Sequence, residues 1–107
     1  MSDTFERVKH LVGAGSVRIP EHGYDELAAD GIRSRDIIER FHDGRGVEDY
    51  PDYPKGPCVL VLQQDSNGNP IHVVWGLHKG RLEPAVVVTA YRPAPEKWQD
   101  GFMRRRR

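Results

Sequence analysis

Asn69-Pro70-Ile71-His72-Val73-Val74-Trp75 and Ala85-Val86-Val87-Val88-Thr89-Ala90-Tyr91-Arg92-Pro93 are the two stretches that decide the fold. Each is a short apolar run rich in β-branched residues and bounded by turn or proline signals, the pattern of a strand inside a sheet. Each also carries polar groups on that rigid frame. In the first run Ile71, Val73 and Trp75 share one face, and His72 shares the other with Val74. In the second, Tyr91 alternates with Thr89 and Val87, and Arg92 falls on the opposite face or just past the strand. His72 has the side chain best suited to proton transfer near neutral pH. A lone strand histidine is more often a hydrogen-bonded core residue, and a tyrosine at a strand end commonly packs its ring and turns its hydroxyl outward. Both readings stay open on these residues alone.

Outward from these runs, Cys58 to Gln64 reads as a preceding strand, joined to the first by Asp65-Ser66-Asn67-Gly68-Asn69, where Asn-Gly is a strong hairpin signal. Val47 to Tyr50 reads as a further short strand, and Pro51 to Pro57 as a loop, because its three prolines remove donors and fix φ. Upstream the period changes to helical. Phe5, Val8, Leu11 and Val12 predict a helix over 4–12, stopped at Gly13 and Gly15. Ser16 to Pro20 is a short extended piece. A second helix is expected over 21–29, closed by Asp30-Gly31. A third follows Ser34 as N-cap, with Ile37, Ile38 and Phe41 facing in. Beyond Pro93-Ala94-Pro95, a helical turn is expected over 96–102, Trp98 is expected to fold back as an apolar plug, and Arg104 to Arg107 to fray. The order predicts an α+β domain over 1–103, with N-terminal helices packed on one face of an antiparallel β-meander.

The chain has 107 residues, the size of one ordinary domain. It has no apolar segment long enough for a bilayer span, and its N-terminus lacks the pattern of a signal peptide. Cys58 is the only cysteine, so no intrachain disulfide can form, and a cytoplasmic location is the simplest reading. The formal net charge of zero hides an asymmetry: residues 21–54 hold ten acidic and four basic groups, and residues 55–107 four acidic and nine basic. A polyanion site would therefore be local, in the C-terminal half. No glycine-rich phosphate loop stands in strand–turn–helix context. No close ligand pair occurs among His10, His22, His42, His72, His78 and Cys58, so no metal site and no cofactor is expected.

One ordered set is more specific than its parts: His22 opening the second helix, Gly31-Ile32 closing it, Ile37-Ile38, Glu48-Asp49-Tyr50-Pro51, Gly56-Pro57, His72-Val73-Val74, and Thr89-Ala90-Tyr91-Arg92-Pro93 with Trp98. In that order, over roughly positions 18 to 99, it resembles the bacterial domain-of-unknown-function family DUF4258. That family is similar to the RelE-type toxin fold. The resemblance implies a toxin of a toxin–antitoxin pair acting as a metal-independent RNA endonuclease, with a small zinc-finger-type antitoxin protein as partner. It implies that His22, His72 and Tyr91 are the catalytic positions, with Arg92 a basic position beside the tyrosine; Arg33, Lys55 and Thr89 complete the substrate-binding set expected from this chain's own residues. Such chemistry needs a base for the ribose 2′-hydroxyl, an acid for the leaving oxygen and cations for the phosphorane. The chain departs from the family pattern at Glu26 and Asp30, where arginines are typical. Carboxylates there repel phosphate. The alternative is a catalytically degenerate toxin-fold protein that acts as a protein-binding module.

Overall fold

The computed structural model describes residues 2–21 and 27–106. Its frame is the pair of hairpins read above. Strands β3 (Cys58–Gln64) and β4 (Pro70–Gly76) pair antiparallel with Leu62 opposite His72 and Val61 opposite Val73. The turn between them is built by Asp65, whose carboxylate accepts from the backbone N–H of Asn67 (2.8 Å) and Asn69 (2.9 Å). Gly68 supplies the positive φ of 81° that such a turn needs. β5 (Ala85–Tyr91) pairs antiparallel with β4, and β2 (Arg45–Tyr50) antiparallel with β3.

The expected antiparallel meander is thus present, but the sheet as a whole is mixed. Val17–Arg18 (β1) lies parallel to the start of β5, with Val17 opposite Ala85. The order is β1-β5-β4-β3-β2. A parallel partner so far away in sequence leaves no local signal, because residues 19–84 separate the two. A bulge also separates Val74 from Trp75 in their pairing with β5. It corrects the simple alternation of the last strand. Val87 sits opposite Trp75 and is buried with it, while Thr89 and Tyr91 sit opposite Val74 and His72 on the other face.

The core draws Val59, Val61, Ile71, Val73 and Trp75 into one buried cluster with Phe5, Val8 and Leu11 of α1 (Asp3–Gly13), and with Ile37 and Phe41. Phe41 stacks on Phe5 (centroids 5.7 Å) and meets Trp75 edge-on (5.4 Å). The α1 start is fixed by Ser2, whose hydroxyl accepts from the Phe5 N–H at 3.1 Å. A second helix, α2 (Ser34–Glu39), is followed by a 3-10 turn, Phe41–Asp43. Ser34 is its first residue rather than its cap, and Arg33 at the cap position makes no capping hydrogen bond. The helix expected over 21–29 falls partly outside the described residues; residues 27–29 are helical. Among the described residues no helix is long and apolar enough to cross a membrane.

The C-terminus departs most from expectation. In place of a helical turn and a frayed tail, Trp98–Gln99 (β6) and Arg104–Arg105 (β7) form a small antiparallel hairpin. Three successive turn residues, Asp100, Gly101 and Phe102, have φ of 52°, 66° and 70°. Left-handed backbone costs a phenylalanine more than a glycine, so contacts elsewhere must hold this turn. They are made with His72.

Candidate functional site

His72 lies mid-strand on β4, directly opposite Leu62 and Tyr91, and is fully buried. Its Nε2 is 2.9 Å from the Phe102 carbonyl oxygen, and its Nδ1 is 3.2 Å from the Tyr91 hydroxyl. A carbonyl can only accept, so Nε2 carries the ring proton and donates; Nδ1 then accepts from the Tyr91 O–H. Both nitrogens of a neutral imidazole are satisfied within the fold. Trp98 seals the ring from above in a T-shaped contact at 4.3 Å between centroids. The expected plug is therefore real, and it covers the histidine itself.

Burial pushes the His72 imidazole below its ordinary value of 6.5. The nearby Arg105 charge acts in the same direction, against the Phe102 bond and the Glu48 charge. Tyr91 is pushed up, chiefly by burial. The linkage to stability follows from the sign. The unfolded chain binds the His72 proton at higher pH than the folded chain. The stabilisation is therefore complete above about pH 6.5 and is lost as pH falls from there toward the lower folded value. Urea unfolding between about pH 7.5 and 5 is expected to show this loss in the parent chain and a smaller slope in His72→Gln. An identical slope in the two would contradict the assignment.

A charged brace holds the hairpin in place. Glu48 of β2 receives Arg105 Nε at 3.0 Å on both carboxylate oxygens, and Arg105 Nη2 lies 3.0 Å from Oε1. The Tyr50 hydroxyl donates to the same carboxylate. The bond from Arg105 is the main reason the Glu48 carboxyl sits below its usual range, outweighing burial, and Tyr50 helps. Arg105 also lies over the Trp98 ring, 4.8 Å from its centroid. Glu48 and Tyr50 alternate on one strand and so share the face, a pattern visible in the sequence. The Arg105 partner was not, because a terminal arginine run reads as solvated chain.

The remaining candidate residues fall into separate places. Thr89 is half-buried on the His72 face, opposite Val74. Arg92 turns away: it pairs with the buried Asp65 at 2.9 Å and reaches the carbonyls of Pro70 (3.3 Å) and Gly31 (3.4 Å). Burial alone would raise the Asp65 carboxyl, but the bonds from Asn69, Arg92 and Asn67 together hold it below its usual range. Arg33 joins the same turn, donating to Ser66 Oγ at 3.1 Å. Lys55 is exposed in the loop before Cys58, and the four residue steps along the strand from Cys58 to Leu62 span about 13 Å. His22 and Glu26 lie outside the described residues; Asp30 is exposed in a turn. Sequence reasoning missed Gln63 as well. It is buried on the core face, donating to the Ile37 carbonyl (2.7 Å) and accepting from Trp75 Nε1 (2.9 Å).

The class these features define is a small α+β domain with a mixed five-stranded sheet and a histidine–tyrosine pair closed beneath its own C-terminal hairpin. Residues 19–92 match the family described as Domain of unknown function (DUF4258), and the chain belongs to that family. The matched span holds His72, Tyr91, Glu48 and Tyr50; the hairpin that covers them lies beyond it. No curated protein and no solved structure matches the chain.

Proposed function

We propose that this chain is a catalytically silent member of a toxin-like fold that works by binding a partner protein. The observation that carries the reading is His72: it has no exposed surface, and both ring nitrogens are taken by Tyr91 and Phe102. A general base must reach the proton it abstracts, directly or through one water. The paired charges support the same reading, since Arg92 is committed to Asp65 and Arg105 to Glu48. The sequence has Glu26 and Asp30 where the resemblance calls for arginines, which removes two cations that RNA phosphate would use. The likeness to RelE-type toxins rests on the order of motifs and is part of this proposal. So is a small zinc-finger-type antitoxin as the partner.

One observation favours the second reading, an RNA endonuclease. His72 and Tyr91 are in direct contact, and a neutral histidine beside a phenol is a workable base–acid pair. That chemistry would require the hairpin to lift away from His72, taking Trp98 and Phe102 with it. Inducing the soluble chain in a bacterium separates the readings. Under the binding reading, growth continues and cellular RNA stays intact; arrested growth with fragmented RNA would overturn it.

A further inference from the structure

The hairpin covers only one end of the outer sheet face. At the other end Cys58, Gly76 and Val86 lie opposite one another in register, and the bulged residue Val88 stands beside them. Cys58, Leu77, Val86 and Val88 floor a groove there, and Tyr53 walls it. Tyr53 is 49 % and Val88 39 % exposed, two of the three large apolar side chains left in solvent among the described residues. Solitary exposed apolar residues are ordinary, but a shared groove is not.

The groove is preformed. The Leu77 N–H donates to the Pro57 carbonyl and the Lys79 N–H to the Lys55 carbonyl, both at 3.0 Å. The proline-rich loop is therefore stitched to the β4–β5 turn. Gly56 permits the close approach: its φ is 138°, and a Cβ there would overlap the Leu77 carbonyl oxygen. The cavity holds about 160 Å³, below the roughly 300 Å³ at which small-molecule sites begin. That volume suits one large side chain. Lys55 and His78 edge it, and Lys79 and Arg81 lie in the same turn. None of the three cations Lys55, Lys79 and Arg81 enters an ion pair among the described residues. Asp52 and Glu83 are the two carboxylates in the flanking segments, so the balance of the rim is positive.

We infer that this groove is a docking site for an acidic protein segment that inserts one large apolar side chain between Tyr53 and Val88. The inference rests on the binding reading above and names the surface that performs it. Apolar burial supplies the anchor, and the unpaired cations supply complementarity and a salt-sensitive approach. Among the lining residues only Tyr53 and His78 carry rings, too few for a run of stacked bases, and the volume suits one side chain, which disfavours single-stranded RNA.

The test is selection of random peptides displayed on phage against the full chain. The enriched peptides are expected to share a large apolar residue flanked by aspartate or glutamate. Their affinity is expected to fall at least tenfold for Val88→Asp and for Tyr53→Ser, to weaken for Lys79→Glu, and to decline as salt rises. Thermal melts of both groove variants are to check that folding is retained; Tyr53 lies in an exposed loop, so its variant stands if the strand variant does not fold. Failure to enrich such peptides would overturn the inference. Peptides that bind equally well to both groove variants would overturn the groove while leaving the binding reading intact. A uridine oligonucleotide whose binding is lost in the same two variants would overturn the partner class. RNA cleavage that depends on His72 would instead overturn the binding reading, whatever the peptides do.

Discussion

Replacing His72 with alanine is expected to cost this chain about 3–4 kcal/mol of stability, the range for emptying a large buried site and orphaning its partners. Two effects add. The imidazole has no exposed surface, so its loss leaves a cavity beneath Trp98. The Tyr91 hydroxyl and the Phe102 carbonyl also lose their partner together. Phe102 then has less to hold it at a φ of 70°, and the hairpin should loosen. A chain of this length should melt at least about 10 °C lower, with tryptophan emission shifting toward that of exposed indole. A histidine kept for catalysis behaves otherwise: its removal abolishes activity and leaves stability within about 1 kcal/mol, as for an ordinary substitution. The melting shift of His72→Ala therefore measures how far the fold rests on this side chain.

Gln63→Leu is expected to be nearly as damaging, although leucine suits a core on volume alone. Gln63 bridges the end of α2 to the sheet. Its amide donates to the Ile37 carbonyl at 2.7 Å, and its oxygen accepts from the Trp75 indole at 2.9 Å. Leucine leaves a buried carbonyl and a buried indole N–H unpaired, each costing about 1–3 kcal/mol. The expected total is roughly 2–5 kcal/mol in urea unfolding, with an unchanged m-value. A loss under about 1 kcal/mol would mean that water or a shifted neighbour satisfies both groups.

What the sequence revealed was local. The strand over 58–64, the Asn67-Gly68 turn and the strand over 70–76 follow from alternation and turn chemistry within a few residues of each other. The same alternation put His72 and Val74 on one face, correctly, but could not say what covers that face. The cover is Trp98 and Phe102, reached through a turn of three left-handed residues. The pairing of Val17 with Ala85 and that of Glu48 with Arg105 join distant segments, and neither end of either contact signals the other. The bulge at Val88 shifted Val87 into the core, because strict alternation assumes an unbroken ladder. Gln63 was legible in principle: it shares a face with Val59 and Val61, where a polar side chain must find partners. For the candidate site, His72 and Tyr91 do meet, whereas Arg92 and Arg33 gather at the Asp65 turn and Lys55 sits at the far end of the sheet.

On the proposed reading, His72 is held by the fold and takes no part in chemistry. The most direct measurement induces the parent chain and His72→Gln at matched soluble levels in one bacterial host and maps the 5′ ends of cellular RNA in both. The same intact RNA profile is expected in the two cultures. New 5′ ends produced by the parent chain and missing with His72→Gln would contradict it.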